Sequence, residues 1–174
     1  MNEAQVNNNN GVNLVFLDVD GVLNCATTKD RCEGYVGIED KKVSYLKEIV
    51  DTCNAKIILV STWKECWYQE PNKVLQDCLA NYLDDKLAKQ GLKIIDKTQE
   101  FLIGNRGEGI KNYLKYLNYM GVVIDNYVII DDYPFDYLKT KLTKNLIKTN
   151  YMKGGLQPRH VKKAISILNN EEDI

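Results

Sequence analysis

Three scarcities narrow what this chain can be. Charge of one sign is missing: 23 lysines and arginines stand against 24 acids, intermixed along the sequence, so the composition carries no electrostatic footprint for nucleic acid. Lys139, Lys141, Lys144 and Lys148 cluster locally but read as a solvated face. Paired cysteines are missing too. Cys25, Cys32, Cys53, Cys66 and Cys78 are odd in number and show no Cys-x-x-Cys spacing, which speaks against a disulfide framework and against zinc. With no secretory leader read ahead of them, a reduced, cytoplasmic protein is expected. The only histidine, His160, falls near the start of the last expected helix, where a structural role is favoured over a catalytic one. Apolar stretches long enough to cross a membrane are missing as well, so no membrane partner is expected.

What the 174 residues allow is one well-packed domain. It is expected to run from 13 to 168, between a loose arm (1–12, with Asn7 to Asn10 in a row) and a loose tail (169–174). Short apolar runs read as strands at 13–17, 56–60, 92–95, 127–131 and 146–150. Helical periodicity fills the gaps at 38–53, 72–90 and 110–120. A last helix opens near Pro158 and turns Val161, Ala164, Ile165 and Leu168 inward. Near-continuous apolar strands alternating with helices define an α/β class, a parallel sheet of about five strands covered on both faces.

The most informative stretch is the strand that stops at Asp18-Val19-Asp20-Gly21-Val22-Leu23-Asn24. Residues two apart on an extended chain point to the same side, about 6.5 Å apart, so Asp18 and Asp20 can face one reacting group. Two carboxylates this close repel, so a site built on them should hold a cation or keep one acid protonated. Magnesium fits best, because it prefers hard oxygen ligands and commonly takes only one or two carboxylates alongside water and phosphate oxygens. That composition points to phosphoryl chemistry. Asp18 could attack phosphorus and form an aspartyl-phosphate, with Asp20 carrying the proton, a role commonly contributing about 10²- to 10⁴-fold. Gly21 suits the tight exit. A second apolar run ends at Ser61-Thr62-Trp63, placing a hydroxyl at a strand's carboxyl end ahead of a helix, where it can donate to a phosphate oxygen. An Asx turn at Asp18 and a helix N-cap at Ser61 are the local alternatives.

The Asp18 to Asn24 segment resembles the first motif of the haloacid dehalogenase superfamily of phosphohydrolases, in which the first aspartate is the nucleophile and the second the acid/base. Ser61 matches that superfamily's second motif. Tyr127-Val128-Ile129-Ile130-Asp131-Asp132 resembles the fourth, which carries acidic magnesium ligands. The resemblance therefore implies a metal set of Asp18, Asp20, Asp131 and Asp132, with Asp136 as a further candidate set against a solvated helix-start acid. For the cation of the third motif Arg106 is the first candidate and Lys111 the second. Ser61-Thr62-Trp63, Arg106-Gly107-Glu108-Gly109-Ile110, Ile130-Asp131-Asp132 and the stretch from Thr149 to Leu156 are together similar to the haloacid dehalogenase domains of Swiss Army Knife RNA repair proteins. That likeness implies a three-layer Rossmann-like fold and a magnesium-dependent phosphatase binding substrate through Ser61, Thr62 and Arg106.

Only a short flap fits between Asn24 and Ile38, so a minimal cap and an open site are expected. Its phosphorylated substrate could then be macromolecular, an RNA end or a phosphoprotein, as well as a small ester. Trp63, Trp67 and Tyr68, if exposed, would offer a stacking surface at about 1–3 kcal/mol per base, with core packing expected of at least one. A catalytically silent phospho-binding module and a phosphotransferase using an acceptor other than water are the competing readings.

Overall fold

The apolar run before Asp18 is the middle strand of a parallel sheet in the computed structural model, which describes residues 11–171 other than 101 and 103. Strand β1 (Val12–Leu17) leads through a two-residue hairpin, β2 (Arg31–Cys32) and β3 (Tyr35–Val36), into helix α1 (Asp40–Cys53). Next come β4 (Lys56–Leu59), α2 (Cys78–Ala88), β5 (Ile94–Lys97), α3 (Arg106–Tyr119), β6 (Ile124–Asp131), β7 (Leu146–Lys148) and α4 (Pro158–Leu168). The large sheet runs β5-β4-β1-β6-β7, every pair parallel. The expected Rossmann-like α/β architecture is what the chain adopts.

Side chains alternate across the sheet, as extended backbone requires. Val15 and Leu17 of β1 pack with α1, α2 and α4 on one face. Leu14 and Phe16 pack on the other with α3 and the buried Tyr137 and Leu142. The chain first builds outward from β1 through β4 to β5, then crosses back over the opposite face to lay β6 on the other side of β1. This reversal beside β1 is where ligands of open α/β sheets bind, at the strands' carboxyl ends.

The flap between Asn24 and Ile38 holds the short β2–β3 hairpin and is tied down on α2. The Tyr82 hydroxyl donates to Asp30 (2.9 Å) and accepts from the Ile38 amide (2.8 Å), while Lys86 pairs with Asp30 at 2.7 Å.

Several boundaries differ from the sequence pattern for local reasons. The expected helix 72–90 is a 3₁₀ turn at Asn72–Leu75 followed by α2, because Asp77 accepts from the Ala80 amide at 2.8 Å and so caps a fresh start. Strand β5 begins at Ile94 and not at 92, since the Leu92 amide is spent closing α2 on the Leu87 carbonyl. Helix α3 starts four residues before the expected 110 because Asp136 accepts from the Gly107 and Glu108 amides. Val12 already belongs to β1. Most of the expected arm (1–10) and the end of the tail (172–174) lie outside the described residues. No helix among the described residues is long and apolar enough to cross a membrane.

Candidate active site

Three strand exits meet at the carboxyl edge of the sheet. Asp18 comes directly after β1, and its amide donates to the Ile130 carbonyl of β6 at 3.0 Å, which sets it beside Asp131 at the end of that neighbouring strand. Ser61 leaves β4 on the other side, after the Val60 amide has bonded the Leu17 carbonyl at 2.9 Å. All three side chains are buried. Arg106, the first residue of α3, reaches across: one guanidinium nitrogen, Nη1, lies 2.7 Å from Asp131 Oδ2 and 3.0 Å from Asp18 Oδ1. The Tyr137 hydroxyl donates to the same Asp131 Oδ2 at 2.7 Å, and the Tyr133 amide to Oδ1 at 2.9 Å.

Carboxylate oxygens of Asp18, Asp131 and Asp132 all fall within 4.8 Å of one another. Asp132 is held close because it lies where a side chain on residue 21 would be. Gly21 adopts φ +72, and a Cβ there would collide with the Asp132 side chain, so only glycine fits both the turn and the contact. Burial raises the proton affinity of Asp18; Arg106 opposes it and Asp131 adds to it. Burial, then Asp131, also pushes Asp132 up. Asp18 Oδ1 is buried without a hydrogen-bond partner, since Arg106 stands at ion-pair distance but without hydrogen-bond geometry. A carboxylate oxygen without a hydrogen bond inside a cluster of hard donors suits a small divalent cation, so these residues fit magnesium.

A family model described as the HAD domain in Swiss Army Knife RNA repair proteins matches residues 14–161. The chain belongs to that family. The matched span reaches from β1 into α4 and takes in every residue of the buried cluster. No curated protein gives a match. As a haloacid dehalogenase domain, the chain falls within a superfamily of phosphatase-like hydrolases.

The remaining site residues of this HAD domain take different places. Asp20 does not join the acidic trio: its exposed side chain accepts from Trp63 Nε1 at 2.9 Å and Asn24 Nδ2 at 2.8 Å, turned aside by the Gly21 bend. Thr62 is exposed on the rim of a pocket of about 390 Å³ that it shares with Lys64, Glu65, Glu100, Gly104, Arg106 and Phe135. Lys111, five residues further along α3, makes no ion pair among the described residues, whereas Arg106 touches two acids. Asp136, the further metal candidate, is spent on the α3 amides. Neither tryptophan offers a stacking surface. Trp63 and Trp67 are core residues at 7% and 4% exposure, and Trp67 donates to Asp84. Lys97 covers the half-buried Tyr68 ring at 4.8 Å.

Two residues at the centre were not visible as site residues in the sequence. Tyr137 sits six positions past Asp131 with nothing to mark it, and Phe135 lies with its ring 4.2 Å from the Arg106 guanidinium carbon.

Proposed function

We propose that this HAD domain, residues 13–168, is a magnesium-dependent phosphomonoester hydrolase working through an aspartyl-phosphate on Asp18. One observation carries the reading: a buried oxygen of Asp18, ion-paired with Arg106 but without a hydrogen bond, stands beside the carboxylates of Asp131 and Asp132. Asp18 attacks the phosphorus, forming an Asp18 O–P bond as the ester P–O bond breaks. Asp20 gives its proton to the departing oxygen, then takes one from the water that attacks the phospho-aspartate, and inorganic phosphate leaves with Asp18 restored. The exposed Asp20, steadied by Trp63 and Asn24, is placed where leaving group and water have access. Arg106 counters the effect of burial on Asp18 and, with Ser61 and Thr62, receives the phosphoryl oxygens. The cation, which Asp18, Asp131 and Asp132 would hold, would shield phosphate from the attacking carboxylate.

The short flap leaves the site open, which favours a macromolecular phosphate such as an RNA end or a phosphoprotein. Five free cysteines support a reducing, cytoplasmic setting.

The test is aryl phosphate hydrolysis with and without magnesium. Wild type should turn over only with the metal, releasing free phosphate, while Asp18→Asn keeps its melting temperature and loses at least 10⁴-fold in rate, on the order expected for a nucleophile. Wild-type activity in Asp18→Asn would refute the nucleophile. Beryllofluoride binding without turnover would favour a silent phospho-binding module, and phosphorylated acceptor in place of free phosphate would favour a transferase. A panel of sugar phosphates, nucleotides, phosphopeptides and RNA with 3′- or 5′-phosphate ends would then sort substrates.

A further inference from the structure

The buried phenol of Tyr137 takes no part in the chemistry above, yet it ends on the same oxygen as Arg106. We propose that Tyr137 is a positioning residue for the cation site, its hydroxyl fixing the orientation in which Asp131 joins Asp18 and Asp132 around a divalent ion. The inference rests on the reading of those three acids as metal ligands.

Three donors hold Asp131: Arg106 and the Tyr137 hydroxyl on Oδ2, both at 2.7 Å, and the Tyr133 amide on Oδ1 at 2.9 Å. Residues 132–137 thus form an arch with both ends bonded to Asp131. At its crown Phe135 has φ +34, a left-handed conformation uncommon for a bulky side chain. Such strain persists where the surroundings over-determine it, and it gathers at functional sites. The surroundings are plain here. The Phe135 ring faces the Arg106 guanidinium and meets Tyr133 and Tyr137 edge-on at 4.9 and 6.2 Å. Tyr137 has no exposure, and among the described residues its hydroxyl finds no hydrogen-bond acceptor besides Asp131.

Without that hydroxyl, Oδ2 answers to Arg106 alone, and the carboxylate is free to swing toward the guanidinium and away from Asp18 and Asp132. Partners that orient a metal-binding carboxylate in this way commonly govern affinity by about 10- to 100-fold.

The experiment measures Mn²⁺ binding by the loss of the free-ion paramagnetic resonance signal, in the cold, for wild type, Tyr137→Phe, and Tyr113→Phe as control. Tyr113 makes an equivalent bond to Asp96 at 3.0 Å, two strands away from β1. Tyr137→Phe should raise the dissociation constant by about 10- to 100-fold and Tyr113→Phe should leave it within about twofold. The shift in melting temperature at saturating Mn²⁺ gives a second reading of the same affinities if Tyr137→Phe is destabilised. Equal affinity in wild type and Tyr137→Phe, or tighter binding in the variant, overturns the inference. Normal Mn²⁺ binding by a wild type that hydrolyses nothing would sink the phosphatase reading and leave this one standing.

Discussion

At the residue scale the site is a contest over charge. Burial favours a neutral Asp18 and outweighs the opposing pull of Arg106, so that its pKa is pushed up to about 7. Removing the guanidinium in Arg106→Met should therefore act twice. Turnover should fall by about 10²- to 10³-fold, the loss usual for one preorganised charge donor, and stability by about 3–5 kcal/mol near neutral pH because buried carboxylates lose their partner. Asp18, with its folded-state proton affinity raised further in the variant, is better tolerated protonated. The stability deficit should accordingly narrow as pH falls and widen as pH rises, which thermal melts across pH would reveal; a deficit independent of pH would mean that Arg106 does not control Asp18. Asp18, Ser61 and Asp131 were legible in the sequence because each ends an apolar run, and a strand's end is a fixed place in this class of sheet. Tyr137 and the Trp63–Asp20 bond were not. Their roles depend on which side chain meets which acid across 6 and 43 residues of chain, and no periodicity encodes that.

At the scale of elements, the edge is held by the segment after β7. The Thr149 amide donates to the Asp131 carbonyl at 3.0 Å and its hydroxyl to the Gly21 carbonyl at 2.7 Å. Further on, the Leu156 amide bonds Val22 and the Tyr151 carbonyl receives the Ala26 amide. The stretch from 149 to 156 therefore laces the loop that carries Asp18 and Asp20 to the end of β6. Thr149→Val keeps the shape but strands the Gly21 carbonyl in a buried place, which should cost about 1–3 kcal/mol and slow turnover as the loop loosens. Unchanged melting and rate would show that the hydroxyl is dispensable. Existence and type of the main elements could be read from the sequence because each has its own apolar period. Their ends could not, because ends are decided by single captures: Asp77 on Ala80, Leu92 on Leu87, and Asp136, from a distant loop, on the head of α3.

For the whole molecule, the order of the strands matters more than any of them. Placing β1 centrally, with β4 and β6 as its neighbours, is what brings residues 18, 61 and 131 to one edge; the sequence supplied the strands, while the order arises from how α3 crosses to the opposite face. Helix α4 closes the other face against α1 and β6, and its start depends on His160. There the Gln157 amide donates to His160 Nδ1 at 3.1 Å, and the His160 amide returns a bond to the Gln157 carbonyl at 2.9 Å. Burial, with Arg159 and Lys163 adding their charge, holds this imidazole below its ordinary value. The unfolded chain then binds the proton more readily than the folded one, so the stability contributed by neutral His160 is complete above about pH 6.5 and drains away as pH falls toward the depressed folded value. Protonation would also remove the Nδ1 acceptor from the cap. His160→Gln keeps an acceptor at that helix position and cannot titrate. Its melting temperature, relative to wild type, should climb steadily as the buffer is taken from about pH 7 to about pH 5, the range in which histidine charges, and a gap that stays constant over that range would detach the closing of α4 from this histidine.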